Sequence, residues 1–223
     1  MSRARTTYTS NSDSSGFLFP PLAIILFGLV FAFLVSKLDT PVQAAPVSLQ
    51  GKSDGLPTAE LSPIFTPEIQ HWSASILRWA AESSLDPNLA AVVMQIESCG
   101  DPRATSRAGA MGLFQVMPFH FLATENPYHP DTNALRGLNY LKRSLEAANG
   151  NSRLALAGYN GGIGVIGRSE TSWPSETHRY VYYGEPIYED AKSGKTSSGI
   201  LGEWYVRYGA GLCRQAAQRL GLQ

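Results

Sequence analysis

Among the ionisable residues of this sequence, Glu97 stands where acid–base chemistry is easiest to arrange. The spacing predicts a helix that opens at Asp86-Pro87-Asn88, carries Leu89, Val92, Val93 and Ile96 on one face, and stops at Gly100 and Pro102. Glu97 falls in its last turn, at the edge of the apolar stripe. The helix macrodipole presents partial negative charge there, and packing on the stripe removes water. Both effects disfavour a carboxylate, so the pKa should be raised. A carboxylic acid protonated near neutral pH suits glycosidic cleavage, in which the departing oxygen needs a proton. An ordinary helix-end glutamate could occupy the same place, and position by itself does not choose between the two readings. Other chemistries are poorly supplied. His71, His120, His129 and His178 are widely spaced, with no pairing that would hold a metal, and no cofactor motif is present. The glycines from Gly158 to Gly164 follow a helical segment, not the strand that a phosphate loop requires.

The residues after Glu97 choose. Glu97-Ser98, then Pro102-Arg103-Ala104-Thr105-Ser106, then Gly109-Ala110-Met111-Gly112-Leu113-Phe114-Gln115-Val116-Met117-Pro118, closely resemble the signature of the soluble lytic transglycosylase family, with its spacing kept throughout. Gly100 stands where an aromatic residue is usual, Cys99 at a variable position, and Phe114 where methionine is usual. Downstream, Gly158-Tyr159-Asn160-Gly161-Gly162 is similar to the family's Ala-Tyr-Asn-Ala-Gly block. Glu176-Thr177-His178-Arg179-Tyr180-Val181 is similar to its Glu-Thr-x-x-Tyr-Val helix. The resemblance covers roughly residues 65 to 190.

The resemblance implies a lysozyme-like, peptidoglycan-cleaving enzyme. Glu97 would be the sole catalytic acid and base, with Ser106, Gln115, Tyr159, Asn160 and Glu176 lining the sugar-binding groove. Gly109 and Gly112 would let the backbone approach the sugars. Tyr159 reads either as a core aromatic with a satisfied hydroxyl or as a hydroxyl facing developing positive charge. A hydrolase would use two carboxylates flanking the bond, and the candidates for the second are Asp101, Asp131 and Glu176. None carries the mark of a nucleophile. The expectation is therefore a lytic transglycosylase, cleaving the MurNAc-GlcNAc β-1,4 bond with attack by the substrate's own C6 hydroxyl and leaving 1,6-anhydroMurNAc. Lysozyme-type hydrolysis is the alternative, and an inactive peptidoglycan-binding module a further one. The chain could also serve a larger secretion or conjugation machine.

Positioning these residues requires a mainly α domain. Trp72, Ile76, Trp79 and Ala80 share a helical face from Pro67 onward. Asn133 can cap a helix with Leu135, Leu138, Leu141 and Leu145 inward. Helices are expected over Ser152–Tyr159 and Ser175–Ala191, and a last stripe joins Leu212, Ala216 and Leu220 beside Cys213. Strand pattern is limited to Leu113–Val116, so a lysozyme-like helical domain with a minor β or loop element is expected over residues 63–223.

Before it, residues 1–16 form a polar tail with Arg3 and Arg5, residues 17–35 are almost uniformly apolar, and residues 36–62 read as a Pro- and Gly-punctuated linker. The apolar run is long enough to span a bilayer, giving a single-pass membrane protein with its catalytic domain extracytoplasmic. Val42-Gln43-Ala44-Ala45 offers the alternative, a secreted protein cut near Ala44. Export favours a disulfide between the two cysteines, Cys99 and Cys213. The 18 basic and 18 acidic residues cancel, which gives no reason to expect nucleic acid. The expected partners are peptidoglycan glycan strands and the membrane, with the protein monomeric.

Overall fold

A computed structural model of the chain describes residues 60–222. The polar tail, the apolar run over 17–35 and the linker as far as residue 59 lie outside the described residues, as does the Ala44 cleavage pattern. Among the described residues no helix is long and apolar enough to cross a membrane.

Eight α-helices carry the fold: α1 Pro67–His71, α2 Ser73–Ser83, α3 Pro87–Ser98, α4 Pro130–Ala147, α5 Ser152–Gly161, α6 Ser175–Lys192, α7 Gly199–Trp204 and α8 Ala210–Leu220. The β expectation reduces to two isolated antiparallel bridges, Thr105 with Met111 and Met111 with Val116, among residues otherwise built of turns. Core burial begins at Leu61, just before residue 63, and continues through Ile64 and Phe65.

Helix α3 lies at the centre. Asp86 caps it by accepting from the Asn88 amide at 2.8 Å, and Pro87 occupies the first turn, where its missing N–H costs nothing. The amphipathic stripe read from the sequence turns out to be too narrow. Every residue from Leu89 to Gln95 is buried, as expected of a helix covered on several sides. Helices α2, α6 and α8 supply the cover, leaving Ile96 and Glu97 as the residues of its last turn that stay partly open. Cys99 ends the helix in the left-handed conformation, at φ 50°.

Two expectations about helices need correction. The run from Pro67 is not one helix but breaks at Trp72, whose indole donates to the Gly100 carbonyl at 2.9 Å. Asn133 is not a cap either. Helix α4 begins at Pro130 behind His129, and Asn133 is a fully buried residue of its first turns. Its amide donates to the carbonyls of Met111 and Pro127 at 2.8 and 2.9 Å and accepts from the Phe114 amide at 2.8 Å. A polar side chain that satisfies three buried backbone groups can be inside a helix at little cost. The register change leaves Leu135 exposed while Leu138 and Leu141 go inward.

The C-terminal helix is tied to the end of α3. Cys99 and Cys213 form a disulfide with Cα atoms 5.0 Å apart. Beside it the fully buried Asp101 carboxylate accepts from Arg219 at 2.7 and 2.8 Å and from Gln215 at 2.9 Å. The buried Gln95 amide faces the same sulfurs and accepts from the Thr66 amide at 3.3 Å.

Candidate active site

The loop from Gly100 to Pro118 is held from two sides. Ser98, one residue after the acid, donates through its hydroxyl to the Leu113 carbonyl at 2.6 Å and accepts from the Gly100 amide at 3.1 Å. Asn133 holds the other side through its three bonds. Gly112 has φ +74°, and a Cβ there would run into the Asn133 amide. Its glycine is required by this packing, and it lies buried under Asn133 instead of facing a ligand. Phe114 is likewise core, fully buried with its ring 6.3 Å from that of Trp79.

Glu97 projects from the last turn of α3 into a cleft of about 190 Å³. Asn160 from the end of α5 and Glu176, Arg179, Tyr180 and Tyr183 from α6 share this cleft, and Trp204 and Tyr208 close it from the C-terminal segment. The α6 residues lie at i, i+3, i+4 and i+7, one face of a helix. The Glu97 carboxyl is pushed up to about 8, first by removal from water, and then by repulsion from Glu176. The Tyr180 hydroxyl opposes this. It is buried and makes no well-formed hydrogen bond, yet lies close enough to the carboxyl to draw its pKa down. Burial and the charge of Glu97 hold both Tyr159 and Tyr180 well above the usual phenol range, so both rings stay neutral.

A second hollow of about 280 Å³ lies on the other side of Asn160, bounded by Gln115, Met117, Phe119, His120, Tyr140 and Tyr159. Asn160 borders both hollows, which adjoin at that residue and are together called the groove. Its carboxamide oxygen accepts from the buried Thr177 hydroxyl at 2.9 Å, which fixes its orientation. The Tyr159 hydroxyl donates to the Phe114 carbonyl at 2.7 Å, so the ring lines the groove while the hydroxyl holds the loop. Gln115 sits at φ +45° with its amide donating to the carbonyls of Ala104 and Gly112. Phe119 is three-quarters exposed on the rim.

Of the residues expected at the site, the structure therefore brings Glu97, Gln115, Tyr159, Asn160 and Glu176 to one groove. Ser106 lies apart, exposed in the loop, where its hydroxyl accepts from the Ala110 amide at 3.0 Å. The candidate second carboxylates separate clearly. Asp101 is buried against Arg219. Asp131 is held well below its usual range by Arg78 at 2.6 Å and the Trp79 indole at 2.7 Å, on another part of the surface. Glu176 alone of the three shares the cleft with Glu97. Sequence reasoning missed Arg179, Tyr180, Tyr183, Trp204 and Tyr208 as site residues. The helical spacing from Glu176 could have found the first three.

Parts of the chain are similar to known proteins. Residues 74–180 match the family described as the transglycosylase SLT domain. A protein named transglycosylase from Enterobacteria phage PRD1 is 38% identical over 111 residues, covering 49% of this chain and 40% of its own length. Among solved structures, an inactive mutant of the lytic transglycosylase Slt from Pseudomonas aeruginosa is 26% identical with a TM-score of 0.46, covering 57% of this chain and 25% of that one. The chain thus spans well under half of both relatives.

Proposed function

We propose, from the match of residues 74–180 to the transglycosylase SLT domain family, that the chain is a peptidoglycan lytic transglycosylase. Its substrate is the MurNAc-GlcNAc β-1,4 bond of glycan strands. The observation that carries this reading is the Glu97 carboxyl, pushed up to about 8 in a groove where, among the described residues, the only other acidic lining residue is Glu176.

Protonated Glu97 donates its proton to the glycosidic oxygen as the bond to the anomeric carbon breaks, and the sugar takes oxocarbenium character. The carboxylate so formed accepts the proton of the muramic acid C6 hydroxyl. That oxygen then bonds to the anomeric carbon, closing the 1,6-anhydro ring and restoring the acid. No water is consumed and no second carboxylate is needed, since the nucleophile is already part of the substrate. The buried Tyr180 hydroxyl is placed to donate to the carboxylate while it is charged.

One observation favours a second reading. Glu176 shares the cleft, and a carboxylate opposite the acid could activate water and give hydrolysis. Mass spectrometry of the products of purified peptidoglycan decides. Anhydro ends, lighter by one water than reducing ends, are expected; reducing ends alone would establish the hydrolase. Failure to cleave would leave a glycan-binding module. An extracytoplasmic location follows from the substrate, and the anchor at residues 17–35 is proposed as the means of holding the domain there. Fractionation of cells for membrane-bound full-length chain tests the anchor, and sedimentation tests the monomer.

A further inference from the structure

The cleft continues past the point where the family match ends. That match stops at Tyr180, whereas Tyr183, Trp204 and Tyr208 wall the same cleft from beyond it. Tyr208 comes from a single π-helical turn, Tyr205–Gly209, inserted between α7 and α8. Such turns re-aim side chains at functional sites. A Cβ at Gly209 would run into the Trp204 ring, so the turn closes tightly enough to need glycine there. Tyr208 then stands edge-on to Tyr183, ring centres 5.7 Å apart.

Arg179 lies at the junction. Its guanidinium is 5.4 Å from the centre of the Tyr208 ring, and it borders both the Glu97 cleft and a neighbouring hollow of about 480 Å³. Stacking on an aromatic face limits the rotamers of the arginine before any ligand arrives. The neighbouring arginines are already matched. Arg153 is paired with Glu170 at 2.8 Å and Glu185 at 2.6 Å. Arg207 is paired with Glu203 at 3.2 Å, and Glu203 also accepts from the Tyr183 hydroxyl at 3.2 Å. Glu176, one turn before Arg179, forms no ion pair with it. Among the described residues Arg179 meets no carboxylate within ion-pair distance.

We propose that Arg179, held against Tyr208, is a carboxylate-binding subsite that reads the acidic substituent of the muramic acid next to the cleaved bond. This rests on the glycan-cleaving reading above. Muramic acid bears a lactyl ether whose acid is either free or extended into a stem peptide with its own carboxylates. The two sources offer the same chemistry to a guanidinium fork, which takes a carboxylate through two parallel N–H bonds.

The test measures binding of soluble glycan oligomers to Glu97→Gln protein and to the Glu97→Gln/Arg179→Gln and Glu97→Gln/Arg179→Lys proteins. Four probes are used: oligomers with intact stem peptides, oligomers stripped to free lactyl groups, and each of these with its carboxylates converted to primary amides. The Glu97→Gln protein should prefer carboxylated over amidated oligomers by about tenfold, as one charge-assisted pair supplies. Arg179→Gln should reduce that ratio to about one, and Arg179→Lys should keep part of it. The source is whichever oligomer loses affinity on amidation. A ratio that is the same with and without Arg179, or no preference in any protein, overturns the proposal. Failure of the glycan-cleaving reading shows itself separately, as absence of cleavage by the protein with Glu97 intact.

Discussion

Tyr180 on α6 buries its hydroxyl near the Glu97 carboxyl on α3 without a well-formed hydrogen bond, and of the neighbours that shift this acid it is the one that favours its charged form. Burial and Glu176 act the other way. The acid is thus poised between a strong push toward neutrality and a weaker pull toward charge. Replacing Tyr180 with Phe removes the pull. The alkaline limb of the pH profile should move upward, and kcat should fall about tenfold, the loss expected of one hydrogen bond to a charged group. A fall in kcat with an unmoved limb would mean that the hydroxyl does not act on Glu97.

Glu97→Gln should lower kcat by roughly 10²–10⁴, the usual contribution of a general acid, while retaining glycan binding. Clearing of purified cell wall at the wild-type rate would remove Glu97 from the mechanism.

As the proposed general acid, Glu97 must be protonated to act, so kcat/KM should be level below about 8 and decline above it, by about tenfold per pH unit. The same shift has a stability consequence of definite sign. Folding raises the pKa of Glu97, so its contribution to stability is fully present below the ordinary value of 4.5 and is lost as pH rises toward about 8. Glu97→Gln cannot ionise. It should match the wild type in stability at pH 4 and exceed it at pH 9, by roughly 1–3 kcal/mol after allowance for solvent on the cleft side. Parallel melting curves at the two pH values check this.

The fold's readable parts are those governed by short-range rules. Asp86-Pro87-Asn88 announced the start of α3 because a cap needs only neighbours in sequence. Glu97 was legible twice, by its place at the helix end and by the residues after it. Asn133 was misread for a physical reason. A buried asparagine that bonds three loop groups and an asparagine that caps a helix look alike in sequence, and the partners that distinguish them are 6 to 22 residues away. Ser106 was assigned to the groove by the resemblance alone, and in the structure it is an exposed loop residue whose hydroxyl accepts from Ala110. The cleft wall of Trp204 and Tyr208 was invisible because a π turn has no 3.6-residue periodicity for a pattern to follow.

Asn133→Ala should be destabilising by about 2–4 kcal/mol, since it leaves buried groups at Met111, Phe114 and Pro127 without partners. Activity should fall further than stability, because the released loop carries Gln115. A calorimetric melting curve and a kcat measured well below the transition separate the two effects.

Reduction of the Cys99–Cys213 disulfide, which closes a loop of 114 residues, should lower the melting temperature. The chain-entropy limit is about 4–5 kcal/mol, and Asp101 with Arg219 should retain part of the attachment of α8. Arg219→Gln alone should cost about 2–3 kcal/mol, as Asp101 is fully buried while its partner is one-third exposed. Combined, the two changes should exceed their sum, because each holds α8 when the other is gone.

That attachment also sets an order of events during synthesis. Cys99 leaves the ribosome 114 residues before Cys213, so the helix bearing the acid is made long before the helix that closes its end. Until α7 and α8 arrive, Glu97 exists without Trp204 and Tyr208 on one side of its cleft. A chain interrupted within α7 would carry the whole family signature and its acid, but with one end of the groove open. Completing the groove waits on α7 and α8.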